Sequence, residues 1–160
     1  MSVRARLEAH LQAHAVDYRV MEHDYAKTSE EVAIARGTPL FWGEKALVFK
    51  LGKKKNFAVF AINGNRQVIS KAIRHHLGVS RLRFATPEEL MELTGLKPGC
   101  VPPFGKPIFD IPLYVDAKLA EQEDIAFSIG SHTASATLKI KNYLVVANPV
   151  SIFAFSETKT

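Results

Sequence analysis

The sequence predicts an α+β fold: a mixed, largely antiparallel sheet that curls around its core or forms a partial barrel, with helices outside. Three observations predict it. Two runs dense in apolar and β-forming residues, 46–51 and 57–62, flank a polar turn at 52–56 and so read as an antiparallel hairpin. Thr28-Ser29-Glu30-Glu31 and Thr86-Pro87-Glu88-Glu89 are capping boxes that open short helices. Strands and helices otherwise mix without a regular βαβ rhythm. The 160 residues suffice for one ordinary core, and the chain reads as a single domain over 1–160.

The elements follow in order. Val3, Leu7 and Leu11 recur at helical spacing behind Ser2, a good N-cap, and predict a helix over 3–15. Residues 18–21 read as a short strand. The Thr28 box predicts a helix to Arg36 that stops at Gly37. Neither strand of the central hairpin alternates cleanly, so both of its faces are expected to be covered. A helix over 71–77, capped by Ser70 and ended by Gly78, follows. The Thr86 box, with Pro87 at the first helical position, predicts a helix ending at Gly95. Four prolines and two glycines within 97–107 exclude helix and central strand there. Residues 111–115 read as a strand and 116–124 as helix or turn. In 125–130, Ile125, Phe127 and Ile129 share one face. Ala126, Ser128 and Gly130 share the other, a face small enough for a close approach. Leu138 and Ile140 oppose Thr137, Lys139 and Lys141 as in a half-exposed strand. Residues 142–156 fit strand or helix equally.

Composition narrows the function. No apolar run approaches the ~20 residues of a membrane span, and the charged first turns lack a secretory signal core. One cysteine, Cys100, excludes an internal disulfide and fits a reducing, cytoplasmic setting. The net charge of +5 gathers in three clusters: Lys50 with Lys53 to Lys55; Arg74 with His75, His76, Arg81 and Arg83; and Lys139 with Lys141. That grouping favours phosphate contacts.

Nucleotide, zinc-protease and serine-hydrolase signatures are missing: there is no GxGxxG, P-loop, HExxH or GxSxG. A lone cysteine cannot build a cysteine-rich zinc site, and no metal or cofactor is expected. His10 and His14 have helical i, i+4 spacing but no further ligand nearby, and read as a solvated face. Three features remain. Lys45 heads the strand face Lys45-Leu47-Phe49-Leu51, where its ammonium either snorkels into water or meets an anion at a pocket mouth. The stiff loop holding Gly99, Cys100, Val101, Pro102 and Pro103 either is a rigid turn or presents free N–H groups to a carbonyl. The polar turn Gly130-Ser131-His132 follows the small-faced strand. Its serine and histidine are sequence neighbours without an orienting acid, so a serine nucleophile is not expected. Cys100 lacks an identified histidine partner and reads as a small loop residue.

In this order and separation the three features resemble the YbaK family, which includes the editing insertion of bacterial prolyl-tRNA synthetases and its free-standing relatives. The resemblance runs from about residue 18 to residue 141. Lys45-Ala46-Leu47 matches the family's strand-start lysine, usually followed by Thr-Leu. Gly99-Cys100-Val101-Pro102-Pro103 matches its GXXXP loop, and Gly130-Ser131-His132 its late glycine turn. The stretch 57–78 is similar to the family's hairpin strand and following helix. Ala46 and Cys100 depart from residues common in the family, threonine and a second glycine.

The resemblance implies a trans-editing deacylase that hydrolyses the ester of a mischarged tRNA, a small amino acid such as Ala or Cys on tRNA-Pro. A ribose hydroxyl of the substrate would help to activate water. Residues 99–103 would hold the carbonyl, Lys45 would anchor the terminal nucleotide or its phosphate, and residues 130–132 would line the pocket and admit the terminal adenosine. The implied partners are the tRNA acceptor end and a prolyl-tRNA synthetase. The alternative is a tRNA-binding or regulatory module of the same fold that has lost hydrolysis.

Overall fold

The chain, a computed structural model, is described over residues 1–159. Its centre is the predicted hairpin: β2 (Glu44–Leu51) pairs antiparallel with β3 (Phe57–Asn63). These two strands sit inside a five-stranded sheet of order β5-β2-β3-β6-β9, with β5 at Leu82–Phe84, β6 at Leu113–Asp116 and β9 at Ser151–Phe153. β5 pairs antiparallel with β2, whereas β3, β6 and β9 run parallel. A separate antiparallel sheet has the order β1-β8-β7, from Arg19–Glu22, Ala134–Lys139 and Asp124–Ser128. An isolated parallel bridge between Gly43 and Ala126 links the two sheets. Two short strands, β4 (Arg66–Val68) and β10 (Ser156–Thr158), form a third antiparallel pair. The expected mixed, curled arrangement is therefore divided among three sheets and does not close into a barrel.

Covering both faces of the hairpin explains its lack of alternation. Every residue of β3 is buried. Phe57, Val59 and Ala61 enter the larger core, while Ala58, Phe60 and Ile62 enter the smaller one on the opposite face. Lys45's row behaves as its spacing predicts: Leu47, Phe49 and Leu51 all pack in the smaller core.

The helices begin where their caps place them. α1 (Val3–Ala13) is capped by Ser2, whose hydroxyl accepts from Ala5 N–H. α2 (Ser29–Arg36) and α4 (Pro87–Thr94) have complete capping boxes from Thr28–Glu31 and Thr86–Glu89. α3 (Ser70–Leu77) begins one residue early. Ser70 lies inside it, and Ile69 stands at the cap without a side-chain bond. Ser70 Oγ accepts from Arg74 Nε instead, so the local serine signal was satisfied within the helix. α5 (Ala117–Ala120) fills part of the helix-or-turn segment, and α6 (Ile140–Ala147) resolves the ambiguity after β8. Ile140 opens that helix and does not extend the strand.

His10 departs from its expected solvated face. It is half-buried, and its Nε2 donates to the Val146 carbonyl at 2.7 Å.

Candidate functional site

The end of β2, the start of α2 and the proline-glycine loop meet at a cleft of about 350 Å³. Lys27, Thr28, Ser29 and Glu30 form the wall at the entry to α2. Gly43 to Leu47 form the strand wall, and Gly99, Val101 and Ser128 face them. Lys45 and the loop therefore share one cavity.

Lys45 is held from behind. Its Nζ donates to the Arg66 carbonyl at 3.1 Å. Burial, reinforced by nearby Lys159, lowers its pKa from 10.5 to about 8, with Glu30 partly opposing the shift. Lys159 reaches the cleft because the C-terminal segment is tied down. Buried Asp116 accepts from Phe155 N–H at 2.8 Å and from the Ser156 hydroxyl at 2.6 Å. Arg66 Nε donates to Ser156 Oγ at 2.7 Å, and β10 pairs with β4.

Within residues 99–103 the loop's own bonds leave two donors unused. Cys100 N–H donates to Lys97 O and Phe104 N–H to Pro102 O. Residues 98, 102 and 103 are prolines without an N–H. Among the described residues, the Gly99 and Val101 N–H groups have no acceptor, and both residues line the cleft. Gly99 has φ +86°, and a Cβ there would lie 3.1 Å from His132 Nε2, so only glycine fits without displacement.

The other predicted residues brace this loop. Pro103's carbonyl accepts from the buried Tyr143 hydroxyl at 2.5 Å. Cys100 is buried, and burial raises its thiol pKa, which disfavours a thiolate. Cys100's carbonyl accepts from Gly130 N–H at 3.0 Å. His132 Nε2 donates to Pro98 O at 2.9 Å, and Ser131 Oγ bonds Thr133. Gly130 faces the start of α1, near Arg4 and Val3. Gly130, Ser131 and His132 thus stand behind the loop and outside the cleft wall. From their strand it is Ser128 that reaches the cavity.

Among the lining residues that escaped the sequence reading are Arg36, Glu44, Ser128 and Lys159. Arg36 is buried at the end of α2. It donates through Nε to Ser135 Oγ at 2.8 Å and through a terminal nitrogen to Ala126 O at 3.3 Å. Burial lowers its pKa to about 10. The small face of β7 accommodates this guanidinium and Gly43. Burial raises the Glu44 carboxyl well above its usual range, with Arg36 opposing. Its Oε2 is out of solvent and has no hydrogen-bond partner among the described residues. A charged residue in the last turn of a helix looks like an ordinary dipole partner, and Glu44 differs from any strand-end carboxylate only through this packing.

These features define an α+β domain whose cleft offers main-chain donors and a lysine. The aminoacyl-tRNA editing domain family matches residues 23–145, and the chain belongs to that family of editing deacylases. It is 38% identical over 148 residues to the multifunctional Ser/Thr-tRNA deacylase ProXp-y of Escherichia coli K12, covering 90% of this chain and 87% of that one. It is also 34% identical over 101 residues to the proline–tRNA ligase of Shouchella clausii, which spans 63% of this chain and 17% of the ligase. A solved structure of a proposed trans-editing enzyme for prolyl tRNA synthetase superposes with TM-score 0.81, at 26% identity over 98% of each chain. No helix among the described residues is long and apolar enough to cross a membrane.

Proposed function

We propose that the cleft hydrolyses the ester between a small amino acid and the terminal ribose of tRNA. The observation that carries this reading is the pair of unused N–H groups at Gly99 and Val101 in the cavity that also holds Lys45. Water attacks the ester carbonyl, and the resulting oxyanion takes bonds from those two donors. The carbon–oxygen bond to the ribose then breaks. The released ribose oxygen takes up a proton, leaving free amino acid and uncharged tRNA. Removing one such donor typically costs about 3–4 kcal/mol of barrier. The neighbouring ribose hydroxyl orients the water and relays its proton, so no protein nucleophile is required. Cys100, buried and disfavoured as a thiolate, is consistent with that assignment. Lys45 anchors the terminal nucleotide through its phosphate.

Serine and threonine are the favoured amino acids, ahead of the alanine and cysteine that the sequence resemblance implies. The E. coli relative is named for Ser/Thr-tRNA, and hydroxyls of Thr28, Ser29 and Ser128 belong to residues lining the cleft. The likeness to a segment of proline–tRNA ligase supports tRNA-Pro as one carrier and the synthetase as a working partner. Turnover measured on Ser-, Thr-, Ala- and Cys-charged tRNA, with and without the synthetase, tests the reading. Ser or Thr esters should turn over fastest, and Lys45→Ala should abolish turnover on all. Tight tRNA binding without turnover on any of the four would show a binding module instead.

A further inference from the structure

The ester cleft opens onto a second hollow of about 570 Å³ and that one onto a third of about 540 Å³. Lys45 and Leu47 belong to both the first and second, and Ser70 and Leu82 to both the second and third. The three form one track across the edge of the five-stranded sheet. We propose that this track seats the single-stranded 3′ end of the RNA, with Phe84 as the stacking platform for an unpaired base upstream of the terminal adenosine. The inference rests on the reading that the ester is cleaved beside Lys45.

Phe84 is 59% exposed, unusual for so large an apolar side chain. Its ring is nevertheless fixed, stacked on Phe49 with centroids 4.4 Å apart and planes 28° apart. A held ring with an open face loses little freedom when a base lands on it. Position fits as well. Phe84 lies opposite Phe49 in the β2–β5 register, four residues along β2 from Lys45, or about 13 Å at a strand's rise. That is a separation of nucleotide dimensions. Beyond Phe84 the track becomes basic. Lys50, Lys53, Arg74 and Arg81 line the third hollow, and none has a carboxylate partner among the described residues. Arg83 there is paired with Glu89 at 2.7 Å and serves the fold. An apolar ring followed by unpaired cations complements a base followed by its backbone phosphates.

The test compares the wild type with Phe84→Ala and Phe84→Trp on charged tRNA and on the minimal aminoacyl-adenosine ester. Phe84→Ala should raise KM for charged tRNA about 5- to 100-fold with kcat little changed. It should leave the minimal ester unaffected, and Phe84→Trp should restore tRNA KM. Unchanged tRNA kinetics in Phe84→Ala, as expected if this ring seats a protein, would overturn the proposal. So would an equal loss on both substrates. If the wild type cleaves neither substrate, the proposed hydrolysis itself fails. Binding of a short single-stranded RNA then decides the platform alone: about 5- to 100-fold weaker in Phe84→Ala supports it, and equal affinity overturns it.

Discussion

The ammonium of Lys45 lies in the cleft, where burial disfavours its charge. Burial and Lys159 hold its pKa at about 8 instead of 10.5. A phosphate beside it favours the charged form, so RNA binding should raise that pKa. The complex should therefore take up a proton between pH 8 and the ordinary lysine range. Calorimetry of tRNA binding at about pH 9, in buffers of different ionisation enthalpy, reads this uptake directly. KM should rise as pH climbs through about 8, and Lys159→Ala should move that limb to higher pH. Glu44 gives a stability test. Its folded pKa lies above its unfolded value of 4.5. The stability it contributes is therefore complete below about 4.5 and declines as pH rises toward the folded value. Glu44→Gln should match the wild type in melting temperature near pH 4.5 and exceed it at pH 7. Lys45 was legible from strand parity and Gly99 from the loop's composition. Glu44 and Arg36 were not, because their importance lies in a cavity assembled from α2, β2 and β7.

At the scale of elements, the loop over 97–107 depends on neighbours distant in sequence. Tyr143 on α6 holds Pro103 O, and the turn after β7 holds Pro98 O and Cys100 O. Gly105 lets the chain pass where a Cβ would lie 2.6 Å from Ile111 O. Tyr143→Phe leaves the Pro103 carbonyl buried without its donor, at a cost of about 1–3 kcal/mol. Denaturant unfolding should show that loss. If the loop holds the reacting carbonyl, as proposed, steady-state kinetics should show kcat falling more than KM rises. The helices were readable because caps are local chemistry: Thr28, Thr86 and Gly95 act within one turn. The three-residue strands β4 and β5 were not, since pairing with β10 and β2 creates them. The sequence resemblance implies that the turn at 130–132 lines the pocket, whereas it stands behind the loop and outside the cleft wall. Its direction, behind the loop, is set by packing against α1, which no local pattern encodes.

For the molecule as a whole, the track orders the charge. The net +5 matters less than the placement of four unpaired cations past Phe84. If each meets a phosphate, the logarithm of tRNA affinity should fall with the logarithm of salt at a slope of about −3. In the proposed reaction the fold supplies the cleft and the RNA supplies the group that activates water. The most direct measurement is single-turnover hydrolysis of Ser-tRNA carrying its ester on the 3′ oxygen of a terminal 2′-deoxyadenosine. Loss of the hydroxyl should slow hydrolysis by about 10²- to 10⁴-fold, the usual contribution of a positioned acid–base group, with binding unchanged. Hydrolysis at the wild-type rate on that substrate would show that a protein group activates the water and would contradict the mechanism.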